Sequence, residues 1–176
     1  MPSASIAVIE SVMVTKRLGP SEGGRRKFLA IIDDTPECLR AAEYAAWRAK
    51  TSAGAAVFLF VIRTDQFQGQ WRGVEEIMRA EAHEEAGTRL DRIADALREK
   101  VGVEPETLVR EGEIVEKIGE VIDEDPEIAI LVLASADGKE GPGPLVSAAV
   151  GRGAAFSIPV TVIPASLGDD EIRSLC

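Results

Sequence analysis

From Lys27 onward the chain alternates between two hydrophobic patterns. "KFLAII" and "AAVFLFVI" are continuous apolar runs, as expected of strands buried on both faces of a sheet. Between them, "DDTPECLRAAEYAAWRAKTSAG" places Leu39, Ala42, Ala46 and Ala49 at helical spacing. Thr35 is its predicted N-cap, Pro36 its first helical position and Gly54 its close. The wetter "RTDQFQGQWRG" leads into a long helix striped by Met78, Ala82, Ala86, Leu90, Ile93 and Leu97. "PETLVREG" reads as a third strand, and Ile114, Val115, Ile118, Val121 and Ile122 mark a helix ending before Pro126. "IAILVLA" is the fourth strand, "PLVSAAVGRGAAF" a helix of small residues, and "PVTVI" the fifth strand. "ASLGDDEIRSLC" adds a terminal turn of helix.

Regular alternation of strand and helix implies parallel strands joined by right-handed crossovers. The predicted fold is a three-layer α/β domain, with a five-stranded parallel sheet between helices on both faces. Residues 27–164 form this domain, 1–26 a flexible N-terminal extension and 165–176 a C-terminal tail. The extension's apolar segment is interrupted by Glu10, lacks a basic start and is too short for a membrane span, so it does not read as a signal peptide.

With 176 residues, 45% of them hydrophobic, the chain can bury one core but not two comfortable ones. Its net charge of -10 opposes non-specific binding to nucleic acid or anionic membrane. Two cysteines, Cys38 and Cys176, make neither a disulfide framework nor a metal site, and a reducing cytoplasm fits.

In such a sheet, ligands collect at the carboxyl ends of the strands where the winding reverses. Two loops reach that edge. Asp33 and Asp34 end the first strand, where their carboxylates can accept from a ribose or an adenine amine, hold a divalent ion, or merely complement the helix start. After the fourth strand, Gly138, Gly141 and Gly143 precede Pro144. A glycine-rich turn at a helix start presents free backbone N–H groups to a phosphate, with Ser147 and Lys139 able to add a hydroxyl and a cation. The alternative is a tight surface connection. A phosphorylation receiver is excluded, since "LVREG" and "VIPAS" lack the aspartate and lysine it needs.

Taken together, "AIIDDTPECLRAAEYAAWRA", "FVI", "REG", "ILVLAS" and "IPVTVIP" resemble the universal stress protein family over Lys27 to Pro164. The resemblance implies an adenine nucleotide alpha hydrolase-like sheet in the order 3-2-1-4-5, an ATP site, with Mg²⁺ accompanying the nucleotide, and a homodimer through Val160 to Ile163. Nucleotide-binding members carry G-x-x-G-x9-G-[ST] after the fourth strand. Gly138, Gly141 and Gly151 have that spacing, followed by Arg152. Alignment on the flanking strands instead puts Ala134 at the first glycine, Gly138 near the second and Val146-Ser147 at the last pair. The site implied comprises Asp33, Asp34 and Thr35, with Val61 offering backbone to the base, and Ala134, Gly138, Gly141, Gly143 and Ser147 around the phosphates.

No nucleophile, acid/base pair or metal set is legible. His83 lies on a charged helical face, Cys38 reads as a small buried side chain whose place at a helix start would lower its pKa, and Trp47 and Trp71 as packing residues. The sequence points to a nucleotide-binding stress-response regulator with a protein partner. A ligand-free interaction module and a slow ATP hydrolase are the alternatives.

Overall fold

The computed structural model describes residues 16–69, 71–138, 141–151 and 156–176. Five strands, β1 (Lys27–Ile32), β2 (Ala55–Ile62), β3 (Glu106–Glu111), β4 (Ile128–Ser135) and β5 (Val160–Pro164), form one parallel sheet in the order β3-β2-β1-β4-β5. Helices α1 (Cys38–Thr51), α2 (Arg72–Val101), α3 (Ile114–Glu124) and α4 (Pro144–Val150) connect them in turn, and α5 (Asp169–Ser174) follows β5.

The central strands carry apolar residues on both sides because both sides are covered. Phe28, Ala30, Phe58 and Val132 pack with α1 and with Leu90, Ile93 and Leu97 of α2. Leu29, Ile31, Leu59, Leu131 and Leu133 face the other layer, with Ile118, Val121 and Ile122 of α3 and Val146 of α4. The small residues Ala41, Ala42, Ala45, Ala46 and Ala49 let α1 lie close on the sheet. Glu113 caps α3, its side chain accepting from the Glu116 N–H at 2.9 Å. Among the described residues no helix is long and apolar enough to cross a membrane.

Several expected details change. Thr35 does not cap α1, because Asp33 draws it into a turn of its own; the helix begins later, at Cys38, after a turn through Pro36 and Glu37. That shift turns Leu39 outward, and the buried stripe runs from Cys38 through the alanines instead. Trp71 does not pack: it stands just before α2 and is 87% exposed. The helix expected to reach Phe156 stops at Val150, where Gly151 takes up extended backbone (ψ 177°). Phe156 and Ile158 still join the core, from outside regular structure.

Residues 1–15 of the extension lie outside the described residues. Leu18 donates its N–H to the Pro126 carbonyl at 2.9 Å, and the Arg17 guanidinium donates to the carbonyls of Ile122 and Asp125. At the other terminus α5 is tied to α1 and α2 by charge. Asp169 meets Arg40 and Lys100, each at 2.6 Å, and Lys100 also reaches the buried Glu43 at 2.7 Å.

Hydrogen bonds from Lys100 and then Arg40 hold the Asp169 carboxyl down to about 2. A depressed carboxyl contributes stability above its unfolded value, near 4, and loses it as pH falls towards 2. Protection of the α5 amides, taken relative to their intrinsic exchange rates, should therefore fall in the wild type between about pH 4 and pH 2. In Asp169→Asn that protection should already be low at pH 7. Equal protection of α5 in both proteins at pH 7 would show that the pairing does not hold the helix.

Candidate functional site

At the carboxyl edge of the sheet, β1 falls short of both neighbours. Its pairing with β2 ends at Ile32 opposite Phe60, while β2 continues beside β3 to Ile62. Its pairing with β4 ends at Ala30 opposite Val132, while β4 continues beside β5 to Ser135. The winding reverses between β1 and β4, so a gap opens at the point where parallel sheets take ligands.

Asp33 stands in that gap. Its Oδ1 accepts from the Thr35 N–H at 2.9 Å and from the Thr35 hydroxyl at 2.5 Å, a local turn that fixes the carboxylate. Its other oxygen has no hydrogen-bond partner among the described residues.

Two cavities meet at this residue. The smaller, about 80 Å³, is lined by Asp33, Thr35, Glu37, Ala134, Pro142 and Gly143, with the first turn of α4. The larger, about 360 Å³, runs over the ends of β1 and β2 towards α2. Phe60, Val61, Ile62, Phe67, Met78 and Ile114 give it an apolar floor, and Asp33, Asp34, Arg63, Glu81, Glu85 and Arg89 supply charge. Val61 belongs to the part of β2 that no longer pairs with β1.

Gly143 is the N-cap of α4, at φ +95° and ψ 162°. A side chain is strained in that backbone conformation, though an added Cβ would touch nothing within 4 Å. Gly141 also has positive φ, +96°. The structure thus brings together Asp33, Thr35, Ala134 and Gly143 around the smaller cavity, and Asp33, Asp34 and Val61 around the larger. Gly138, Gly141 and Ser147 stand outside both linings. The Ser147 hydroxyl donates to the Gly143 carbonyl at 2.8 Å and secures the start of α4. Lys139 and Arg152 lie outside the described residues.

Burial pushes the Cys38 thiol up, outweighing the lowering expected of a helix start, and its Sγ donates to the Asp33 carbonyl at 3.5 Å. It is a packing residue of the cavity wall rather than a thiolate nucleophile. His83 meets Glu111 at 2.5 Å on the exposed face of α2, where Arg79 also reaches Glu111. Trp47 packs as expected, with Lys50 and Arg173 over its ring. Among the described residues no group of three or more His, Cys, Asp or Glu side chains could hold a metal ion.

Sequence reasoning missed Glu37, Pro142, Glu81, Glu85 and Arg89 as cavity residues. The four charged ones sit among many charges on helical or turn segments, where local pattern does not separate an inward side chain from a solvated one.

Residues 24–164 match the family model described as the Universal stress protein family. No curated protein matches the sequence significantly. Among solved structures, the chain is similar to universal stress protein UspA from Lactobacillus plantarum (TM-score 0.64, 16% identity, 80% of this chain and 98% of that one). It is also similar to a universal stress protein family protein from Arabidopsis thaliana with AMP bound (TM-score 0.55, 18% identity, 79% and 91%). A third is the universal stress protein from Archaeoglobus fulgidus in complex with dAMP (TM-score 0.52, 18% identity, 79% and 97%). These likenesses establish the fold.

Proposed function

Because the chain belongs to the universal stress protein family, we propose that it binds an adenine nucleotide across the gap at the end of β1. The observation that carries this reading is Asp33, a fixed carboxylate shared by a cavity of about 360 Å³ with an apolar floor and a smaller one of about 80 Å³ at the start of α4. The purine would occupy the larger cavity against Val61, the ribose hydroxyls would donate to Asp33, and the phosphate would enter the smaller one beside Gly143. AMP bound to the Arabidopsis thaliana relative and dAMP to the Archaeoglobus fulgidus one support the ligand class.

Size favours the monophosphate. The smaller cavity is compact, about 80 Å³, and is bounded by Glu37, Pro142 and Gly143, so it would take the phosphate next to the ribose. The further phosphates of ATP, with any Mg²⁺ they carry, would extend past Gly141 towards solvent. The reading includes a regulatory role, with nucleotide occupancy altering the loops that a protein partner touches. A homodimer pairing through Val160 to Ile163 fits, since β5 is an edge strand.

Thermal unfolding with and without AMP tests the assignment. A ligand at one hundred times its Kd adds about 2.7 kcal/mol, which raises Tm by roughly 5–10 °C in a chain of this size. Asp33→Asn keeps an oxygen for the Thr35 turn and replaces the free carboxylate oxygen by an amide. It should bind AMP about tenfold more weakly and lose roughly half of that shift. An unshifted wild type, or an Asp33→Asn protein shifted as far, would contradict the assignment.

A further inference from the structure

Among the described residues lining the larger cavity, Arg89 holds the one buried side-chain polar atom without a hydrogen-bond partner. Arg89 rises from α2, one turn after Glu85, and lines that cavity opposite the Asp33 turn. Its Nε is buried and has no hydrogen-bond partner among the described residues. Three other cations of the same helix are paired, Arg79 with Glu75 and Glu111, Arg98 with Asp95 and Glu104, and Lys100 with Glu43 and Asp169, whereas Arg72 and Arg92 form no ion pair among the described residues and have no buried polar atom left without a partner. A buried donor without an acceptor costs free energy, and more so on a charged group. That cost is recovered when a ligand supplies the acceptor.

We propose that Arg89 is a ligand-contacting residue that donates its Nε–H to a ring nitrogen of the bound purine, and so selects the base rather than the phosphate. This rests on the nucleotide reading above. The placement favours the base because Arg89 lines the large cavity beside Val61, Met78 and Ala86 and, although its side chain also reaches Cys38 on the wall of the small cavity, it is not in the lining of that cavity at α4. The planar guanidinium can also lie flat on a purine ring, which an ammonium cannot do. The same side chain forms a wall of the open groove on α2 with Glu81 and Glu85. It therefore stands between the cavity and that groove, at the edge of the space a bound base would fill.

Calorimetric titration of the wild type, Arg89→Met and Arg89→Lys with adenosine and with AMP tests this. Arg89→Met keeps the apolar stem, and Arg89→Lys keeps the charge without the Nε–H. Both variants should weaken adenosine and AMP alike, by about tenfold, the usual loss for a hydrogen bond to a charged group. In ¹⁵N spectra of the wild type, the Arg89 Nε–H signal, identified by its absence in Arg89→Lys, should shift when adenosine is added. That measurement stands even where a variant folds poorly.

Unchanged affinity in Arg89→Met, full recovery in Arg89→Lys, or a loss confined to AMP would each overturn the proposal while leaving the nucleotide site intact. A wild type that binds neither ligand removes the nucleotide reading, and this inference with it.

Discussion

Gly54→Ala is expected to unfold well below the wild type. An alanine Cβ at this position would stand 2.2 Å from the Arg26 carbonyl oxygen, with the Ser52 hydroxyl at 3.1 Å. The obstacle is backbone, and it is held: the same carbonyl accepts from the Ala55 N–H at 3.0 Å, next to the pairing of Lys27 with Ala55 that opens the β1–β2 ladder. The Gly54 N–H also donates to the Ala49 carbonyl at 2.8 Å, fixing the exit from α1. Relief of the contact must therefore move either the end of the helix or the start of two central strands. Overpacking of this kind costs about 3 kcal/mol, and at roughly 2–4 °C per kcal/mol the melting temperature should fall by about 6–12 °C. A midpoint within about 2 °C of the wild type would show that the junction yields easily, contrary to the packing described.

The second large effect is on binding. At Gly143 there is open space for a side chain but no comfortable backbone for one, since φ is +95°. Valine there should drive the Pro142–Pro144 segment into another conformation at a cost of about 1–3 kcal/mol. The core would persist, because the residue is partly exposed and beyond the packed strands. The wall of the small cavity would be displaced, and with it the backbone carbonyl of residue 143 that accepts from Ser147. Gly143→Val should thus retain cooperative unfolding while AMP affinity drops more than about tenfold, with adenosine affected less. Equal losses for AMP and adenosine would place the phosphate away from Gly143.

The sheet was legible because its strands announce themselves. "KFLAII", "AAVFLFVI" and "IAILVLA" have no polar face to hide, and the structure covers them on both sides. Errors arose where a side chain had two uses for its hydrogen bonds. Thr35 could have capped α1, yet Asp33 captured both its N–H and its hydroxyl, which delayed the helix and changed its buried face. Small residues misled at α4, since "SAAVGRGAAF" lacks a strong stop before Phe156 although Gly151 ends the helix.

The candidate site was legible to the extent that topology alone locates it. A reversal between β1 and β4 puts Asp33, Ala134 and Gly143 at one edge in any sheet of this order. What the sequence does not carry is side-chain direction on α2. Arg89 lies beside Leu90 of the buried stripe, but nothing local distinguishes it from Arg92, which lines the open groove without reaching the larger site cavity. That distinction comes from the way the long helix crosses the end of β2, a tertiary fact.

The central claim is that one nucleotide spans Asp33, with its base over β2 and its phosphate at α4. Isothermal titration of nucleotide-free wild-type protein with AMP, ADP and ATP tests it most directly. The account predicts saturable binding of one nucleotide per chain, with AMP bound at least as tightly as ATP, since the proposal puts only the first phosphate in the compact cavity at α4. Absence of heat for all three up to millimolar concentration, with the protein folded, would contradict it and leave the gap at the end of β1 as a surface for another kind of partner.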